Sequence, residues 1–170
     1  MSKFEGKKIL VVGGAGFVGS NLVRALQDFS PQAITIIDNL LSAERANVPL
    51  TSGITLIEGS ITNDRILADM RDDFDYLFHL ATYHGNQSSI HDPLADHENN
   101  TLTTLKLFER IKNFKKLRKA VYSSAGCTVA EKTFQTSQAT TEEAPRGLNG
   151  FVAGTSNVSV SPKCSTYVLR

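Results

Sequence analysis

The sequence predicts an α/β fold in which a doubly wound parallel sheet lies between two layers of helices. Short apolar runs rich in β-branched residues recur along the chain, as expected of strands that are buried on both faces. Between these runs lie segments with apolar residues three and four positions apart, the pattern of amphipathic helices. Strands that alternate with helices imply parallel pairing through right-handed crossovers, so the fold should be a three-layer αβα arrangement.

Five apolar runs are predicted to form the strands. They are KILVVG (8–13), AITIID (33–38), ITLIE (54–58), YLFHLA (76–81) and KAVYSS (119–124). Helices are predicted over residues 16–29, 62–70 and 93–111. The sheet is expected to be truncated after about five strands. A strand edge left exposed in this way favours association, so a homodimer is one expected outcome.

The composition excludes several classes of protein. The chain has 170 residues, 41% of them hydrophobic, which is enough for one globular domain. Its 18 Lys and Arg residues nearly balance 17 Asp and Glu residues, so neither nucleic acid nor a membrane surface is an expected partner. Two cysteines form no disulfide framework, and no apolar run is long enough for a signal peptide or a membrane span. We therefore expect a cytoplasmic protein.

A glycine-rich turn follows the first predicted strand and opens the first predicted helix. Residues 13–19 read GGAGFVG, which places Gly13, Gly16 and Gly19 at G-x-x-G-x-x-G spacing. In this pattern Gly13 allows the tight turn, Gly16 lets the backbone approach a phosphate, and Gly19 lets the helix pack closely. The free N–H groups at a helix start bind a diphosphate well. A glycine-rich turn without any ligand is the plainer alternative.

An aspartate at the end of the second strand favours the ligand-binding interpretation. Asp38 lies 19 residues after Gly19. A carboxylate at this position accepts hydrogen bonds from the adenosine ribose and repels a 2′-phosphate. A P-loop would need Lys followed by Ser or Thr after the glycines, where this chain has Ser20 and Asn21. The pattern therefore predicts a Rossmann-like domain that binds NAD rather than NADP.

Further blocks extend the pattern along the chain. They read VVGGAGFVGSNLV, IIDNL, EGSIT, DYLFHLAT, DPLADHENNTLTTLKLFE and VYSSAG, in this order. With them the sequence resembles the extended short-chain dehydrogenases/reductases, specifically the NAD-dependent epimerase/dehydratase branch that includes UDP-glucose 4-epimerase-like enzymes. The resemblance covers residues 8–145 approximately. It implies an NAD-binding Rossmann domain over residues 1–145 and, in complete relatives, a nucleotide-sugar substrate.

The resemblance also implies roles for individual residues. Backbone groups of Phe17 and Val18 would contact the pyrophosphate. The other implied positions are Asp38 and Asn39 at the adenosine ribose, Ser60 and Ile61 at adenine, Leu80, Ala81 and Thr82 beside nicotinamide, and Asn100, which fixes the active-site backbone. Ser60 stands where the family usually has Asp, so it would hydrogen-bond the adenine amino group without charge assistance. A helix-surface asparagine with no role is the alternative for Asn100.

The catalytic part of the resemblance is incomplete. Ser124 matches the residue that hydrogen-bonds the sugar hydroxyl. The family's base is the Tyr of a Tyr-x-x-x-Lys pair, in which Lys lowers the pKa of Tyr. In this sequence no Lys stands four residues after any of the four tyrosines, Tyr76, Tyr83, Tyr122 and Tyr167. We therefore expect the chain to lack turnover; the alternative is a non-catalytic NAD-binding redox sensor or scaffold domain.

The last residues, 146–170, do not match the family. They are polar, lack a helical period and are expected to be irregular. A truncated or frame-shifted product and a genuine short binder both explain such a tail, and the sequence leaves both open.

Two other groups of residues are given structural interpretations. The four histidines lack metal-ligand spacing, and no histidine follows Cys127 to activate it, so neither a metal site nor a cysteine nucleophile is expected. The basic stretch 112–119 is interpreted as a solvated helix end rather than a phosphate or RNA contact.

Overall fold

The computed structural model describes residues 2–49, 51–83 and 90–123. These residues form a parallel sheet with the strand order β3-β2-β1-β4-β5. The strands are β1 (Lys8–Val12), β2 (Ala33–Asp38), β3 (Ile54–Glu58), β4 (Tyr76–His79) and β5 (Lys119–Tyr122). The chain extends the sheet from β1 to β3 in one direction and then returns to add β4 on the other side of β1. This reversal opens a crevice at the carboxyl ends of β1 and β4.

The predicted helices are present with shorter bounds. They are α1 (Phe17–Gln27), α2 (Asp64–Asp69), α3 (Pro93–Asp96) and α4 (Thr103–Ile111). A 3₁₀ turn (Arg45–Asn47) lies between β2 and β3, and a π-helical segment (His97–Leu102) joins α3 to α4. The predicted helix 93–111 is therefore continuous but contains a wide turn, which apolar spacing alone does not reveal.

The sheet is buried on both faces, as the apolar runs predict. In β1, Ile9 and Val11 belong to one hydrophobic cluster. Leu10 and Val12, which alternate with them, belong to the other. The helices α1 on the first face and α2 and α4 on the second contribute the buried side chains Val23, Leu26, Leu67, Leu107 and Ile111.

Two element boundaries differ from the predictions for physical reasons. β4 ends at His79, two residues before the end of the predicted strand. The N–H groups of Leu80 and Ala81 both donate to the Val12 carbonyl, at 2.8 and 3.1 Å, so the chain leaves the regular ladder there. α4 begins at Thr103, because the π-helical turn interrupts the predicted helix before it.

At the amino-terminal ends of the strands, opposite the crevice, lies the buried carboxylate of Asp75. Asp75 accepts a hydrogen bond from the Lys8 N–H at 3.1 Å. Lys7, Lys116 and Arg118 lie 3.5–4.0 Å from its oxygens. Two cations of the basic stretch therefore lie beside a carboxylate of the fold rather than on the helix end, since α4 stops at Ile111.

Among the described residues no helix has the length and apolar character needed to cross a membrane.

Candidate functional site

Two glycines of the turn between β1 and α1 are required by backbone contacts. Gly13 has φ +83°, and a Cβ there would lie 2.7 Å from Cα of Ala81. A Cβ on Gly19 would lie 2.7 Å from Cα of Gly14 and closer still to the Gly13 carbonyl oxygen. No side chain fits at either position. The first turn of α1 thus rests on the glycine loop itself rather than on β1.

Gly16 differs because the space beside it is open. Its φ is −66°, and a Cβ there would lie 3.5 Å from the Gly13 carbonyl oxygen, which is an ordinary contact. Gly16 is the N-cap of α1, so no side chain caps the helix, and the first turn carries no acidic residue. The N–H groups of Phe17 and Val18 have no acceptor within the helix. The backbone of Gly16, Phe17 and Val18, referred to below as the cradle, therefore offers free N–H groups at the positive end of a helix with no Cβ at Gly16 in the way. Such a backbone suits a phosphate.

Asp38 connects this loop to the end of β2. Its Oδ2 accepts a hydrogen bond from the Ala15 N–H at 2.9 Å, and its Oδ1 accepts one from the Leu40 N–H at 2.9 Å. The residue is only 9% exposed. Each carboxylate oxygen has a further lone pair, so the carboxylate retains capacity for a ribose hydroxyl. Asp38 therefore lies beside the glycine loop and holds its backbone, and its role at the adenosine ribose stays a prediction.

One open cleft runs along the carboxyl ends of the strands. Of the residues predicted from the sequence, the cleft is lined by Asp38, Asn39, Ser60, Ile61, Ala81 and Thr82. It is also lined by residues that the sequence analysis did not single out, namely Leu41, Ser42, Gly59, Tyr83, Asn99 and Thr103. Leu80 does not line it, because its side chain packs into the cluster on the α1 side of the sheet. Asn39 accepts a hydrogen bond from the Leu41 N–H at 3.1 Å and so shapes the cleft wall.

Ser60 lies in the cleft with its acceptor capacity in use. Its Oγ accepts hydrogen bonds from the Thr62 N–H at 3.1 Å and the Thr62 hydroxyl at 2.9 Å. The hydroxyl proton of Ser60 then remains for a ligand. This arrangement suits a ring nitrogen of adenine, an acceptor, better than the amino group that the resemblance implies.

Asn100 ties the π-helical segment to the loop after β4. Its Oδ1 accepts a hydrogen bond from the Tyr83 N–H at 2.8 Å, and its Nδ2 donates to the Tyr83 carbonyl at 3.1 Å. Nδ2 also donates to Oδ1 of the buried Asp96 at 2.7 Å. Asn100 therefore bonds both backbone groups of Tyr83, and its role in fixing an active-site backbone stays a prediction. Asp96 escaped the sequence analysis, although its i, i+4 spacing to Asn100 is visible in the sequence.

His79 supports the same segment from inside the fold. It is 1% exposed, and its Nε2 lies 3.1 Å from Oγ1 of Thr104, which in turn donates to the Asn100 carbonyl at 2.6 Å. Since the threonine proton is used, Nε2–H is the donor and Nδ1 is unprotonated. Nδ1 has no partner among the described residues. Burial lowers the pKa of His79 to about 4, so the ring is neutral at pH 7.

Several residues considered as site candidates, whether accepted or rejected, fall outside the described residues. Ser124, Cys127, Tyr167 and the tail 146–170 lie beyond residue 123, and His84 lies between the two described segments around it. Over the described ranges, no group of three or more His, Cys, Asp or Glu side chains is placed to hold a metal ion.

Comparison with known proteins identifies the family. The profile of the NAD dependent epimerase/dehydratase family matches residues 9–150. The chain belongs to this family. The predicted family is thereby confirmed, and it agrees with the Rossmann-like α/β fold that the parallel sheet shows.

Solved structures of similar proteins show the same fold. The Bordetella bronchiseptica enzyme WbmF in complex with NAD+ is 58% identical, with a TM-score of 0.72 over 80% of this chain and 42% of that one. The same enzyme in complex with NAD+ and UDP is 57% identical, with a TM-score of 0.73 over 81% of this chain and 41% of that one. Among curated proteins, the UDP-glucose 4-epimerase of Azospirillum brasilense is 36% identical over 104 residues, 59% of this chain and 28% of the relative. The chain thus spans less than half the length of each of these proteins.

Proposed function

We propose that this chain binds NAD as the cofactor-binding part of a nucleotide-sugar epimerase or dehydratase. The observation that carries the proposal is the hydrogen bond between Asp38 and the Ala15 N–H. It places a buried carboxylate, able to accept ribose hydroxyls, directly beside the uncapped start of α1. A diphosphate and the ribose attached to it are recognised by that combination of groups.

The cleft supports one direction for the cofactor. The adenosine would lie at the ends of β2 and β3, near Asp38 and Ser60, and the diphosphate at the N–H groups of Phe17 and Val18. The nicotinamide would then lie at the end of β4, near Ala81 and Thr82. When bound, NAD supplies a hydride acceptor for a sugar carbon. The protein's part is to bind, orient and discriminate.

Asp38 supports selection of NAD over NADP. A 2′-phosphate on the adenosine ribose would bring negative charge against a carboxylate that is nine-tenths buried, where screening by water is weak. The carboxylate accepts hydrogen bonds from two backbone N–H groups, and these bonds keep it from rotating away from the ribose.

The substrate and the loss of turnover are part of the proposal. WbmF was crystallised with UDP, and a UDP-glucose 4-epimerase of Thermotoga maritima, 30% identical to this chain, was crystallised with UDP-glucose. We expect a nucleotide-sugar to be the substrate of the complete site, with Ser124 bonded to a sugar hydroxyl. The 170-residue chain taken alone is expected not to turn over, because no Tyr-x-x-x-Lys pair supplies the base.

Calorimetry with NAD, NADP and UDP-sugars tests the proposal. NAD is expected to bind about tenfold more tightly than NADP, and Asp38→Asn is expected to narrow that ratio because it removes the repulsion. Additional binding of a UDP-sugar would favour a remnant of the enzyme, and dinucleotide binding alone would favour a redox sensor or scaffold. Absence of both heat and a melting shift with NAD would overturn the proposal.

Location and assembly complete the proposal. We expect a cytoplasmic protein that self-associates through the outer edge of β5, which among the described strands pairs with β4 only. Light scattering on the purified chain tests the association, and a monodisperse monomer would contradict it.

A further inference from the structure

The glycine loop is held by a residue from a distant part of the chain. The Ala15 carbonyl accepts a hydrogen bond from Nδ2 of Asn47 at 3.0 Å. Asn47 belongs to the 3₁₀ turn between β2 and β3, 32 residues further along the sequence. On the other side of Ala15, its N–H donates to Asp38 at 2.9 Å. Two successive peptide planes of the loop are thus each fixed by a side chain.

The bond from Asn47 acts on the peptide that leads directly into the uncapped start of α1. The carbonyl of Ala15 and the N–H of Gly16 belong to one rigid peptide plane, so fixing the oxygen also fixes the direction of the N–H. The Gly16 N–H lies 3.4 Å from the Gly13 carbonyl, a long hydrogen bond that does not by itself hold the plane. Asn47 therefore supplies the restraint that this plane otherwise lacks.

Asn47 is itself held in place. Its own carbonyl accepts a hydrogen bond from Nη2 of Arg24, on α1, at 2.8 Å. The next residue, Val48, is buried in the hydrophobic cluster beneath α1. The 3₁₀ turn is thus anchored to the helix that the glycine loop begins. Its asparagine can hold the loop without much loss of side-chain freedom on ligand binding.

We infer that Asn47 is a positioning residue for the diphosphate site, acting through the Ala15–Gly16 peptide although it does not line the cleft. The inference rests on the proposed binding of NAD. It means that the connection between β2 and β3 contributes to cofactor affinity as well as to the fold. No motif in the sequence marks this asparagine, because its partner is a backbone carbonyl far away in the chain.

The test compares two alanine substitutions, each of which removes one side-chain hydrogen bond. Asn47→Ala removes the bond to Ala15. Gln27→Ala is the matched control, because Nε2 of Gln27 donates to the Thr51 hydroxyl at 2.7 Å and so joins α1 to the same connection without touching the loop. Each variant is expected to lower the melting temperature by about 2–4 °C.

Measured affinities for ADP-ribose and NAD then distinguish an effect of Asn47 on the diphosphate site from a general loss of fold stability. Asn47→Ala is expected to weaken both ligands about five- to tenfold, the equivalent of one hydrogen bond, while Gln27→Ala stays within about twofold of wild type. Asn47→Asp keeps the size of the side chain but turns the donor into an acceptor. It should weaken binding at least as much as Asn47→Ala does, and it provides a second variant.

The outcomes distinguish the inference from the proposed function. If wild type binds NAD and either Asn47 variant loses no more affinity than Gln27→Ala, the positioning role is wrong and NAD binding stands. If wild type itself does not bind NAD or ADP-ribose, the proposed function fails and the inference fails with it.

Discussion

Alanine at two glycines of the same motif should have opposite effects. A Cβ on Gly19 would lie 2.7 Å from Cα of Gly14, 2.9 Å from the carbonyl carbon of Gly13 and closer still to the Gly13 oxygen, and all three are backbone atoms. The helix and loop would have to separate. Overpacking of this kind costs about 1–3 kcal/mol or more, only partly offset by the roughly 1 kcal/mol that Ala gains over Gly in a helix. We expect Gly19→Ala to lower the melting temperature by about 4–8 °C.

Gly16→Ala should instead spare the fold and impair binding. A Cβ at Gly16 makes one ordinary contact at 3.5 Å, and the backbone has φ −66°, which any residue adopts. Losing glycine at the N-cap costs at most about 1 kcal/mol. The added methyl group would occupy the cradle where the diphosphate approaches the backbone. A loss of NAD affinity of about tenfold or more is expected, the equivalent of about 1.4 kcal/mol.

The assay pairs thermal unfolding with NAD titration for wild type and both variants. Retention of NAD affinity in Gly16→Ala would refute the assignment of the diphosphate to this cradle. An unchanged melting temperature in Gly19→Ala would refute the close packing of α1 on the loop. The two results are independent, because the first depends on space beside the loop and the second on contact within it.

Three further predictions concern the rest of the site. Burial lowers the pKa of His79 to about 4, so the unfolded chain binds a proton first as pH falls. The free energy of unfolding should therefore drop between pH 6.5 and 4 by up to about 3 kcal/mol, a slope in urea titrations that His79→Gln should abolish. Asn100→Ala should lower the urea-derived free energy of unfolding by about 2–4 kcal/mol, because it removes two bonds to Tyr83 and a donor to buried Asp96. Ser60→Asp should weaken NAD binding by about three- to tenfold in calorimetry, because it replaces the hydroxyl proton that can bond an adenine ring nitrogen with a carboxylate that only accepts; tighter binding would place the adenine amino group there instead.

The elements of the fold were predictable because the information for them is local. A strand buried on both faces needs an apolar residue at nearly every position, and runs such as KILVV and AITIID satisfy that need. The π-helical segment was not predictable, because the side chains that stabilise it come from β4 and from helix positions that only the folded chain brings together. His79 with Thr104 is the example, joined across 25 residues.

In the candidate site, too, the features that depend on local sequence were predictable, and those that depend on contacts between distant residues were not. The glycine spacing and Asp38 were recognisable because a tight turn, a close backbone approach and an acidic strand end each restrict one position to one or two residue types. The sequence by itself determined the parallel α/β fold, and it predicted where a dinucleotide would bind and at which end of the sheet. Only the tertiary structure decided what holds that site in shape. At the glycine loop this group is Asn47, which donates to the Ala15 carbonyl, a main-chain atom that every residue carries and no sequence pattern distinguishes.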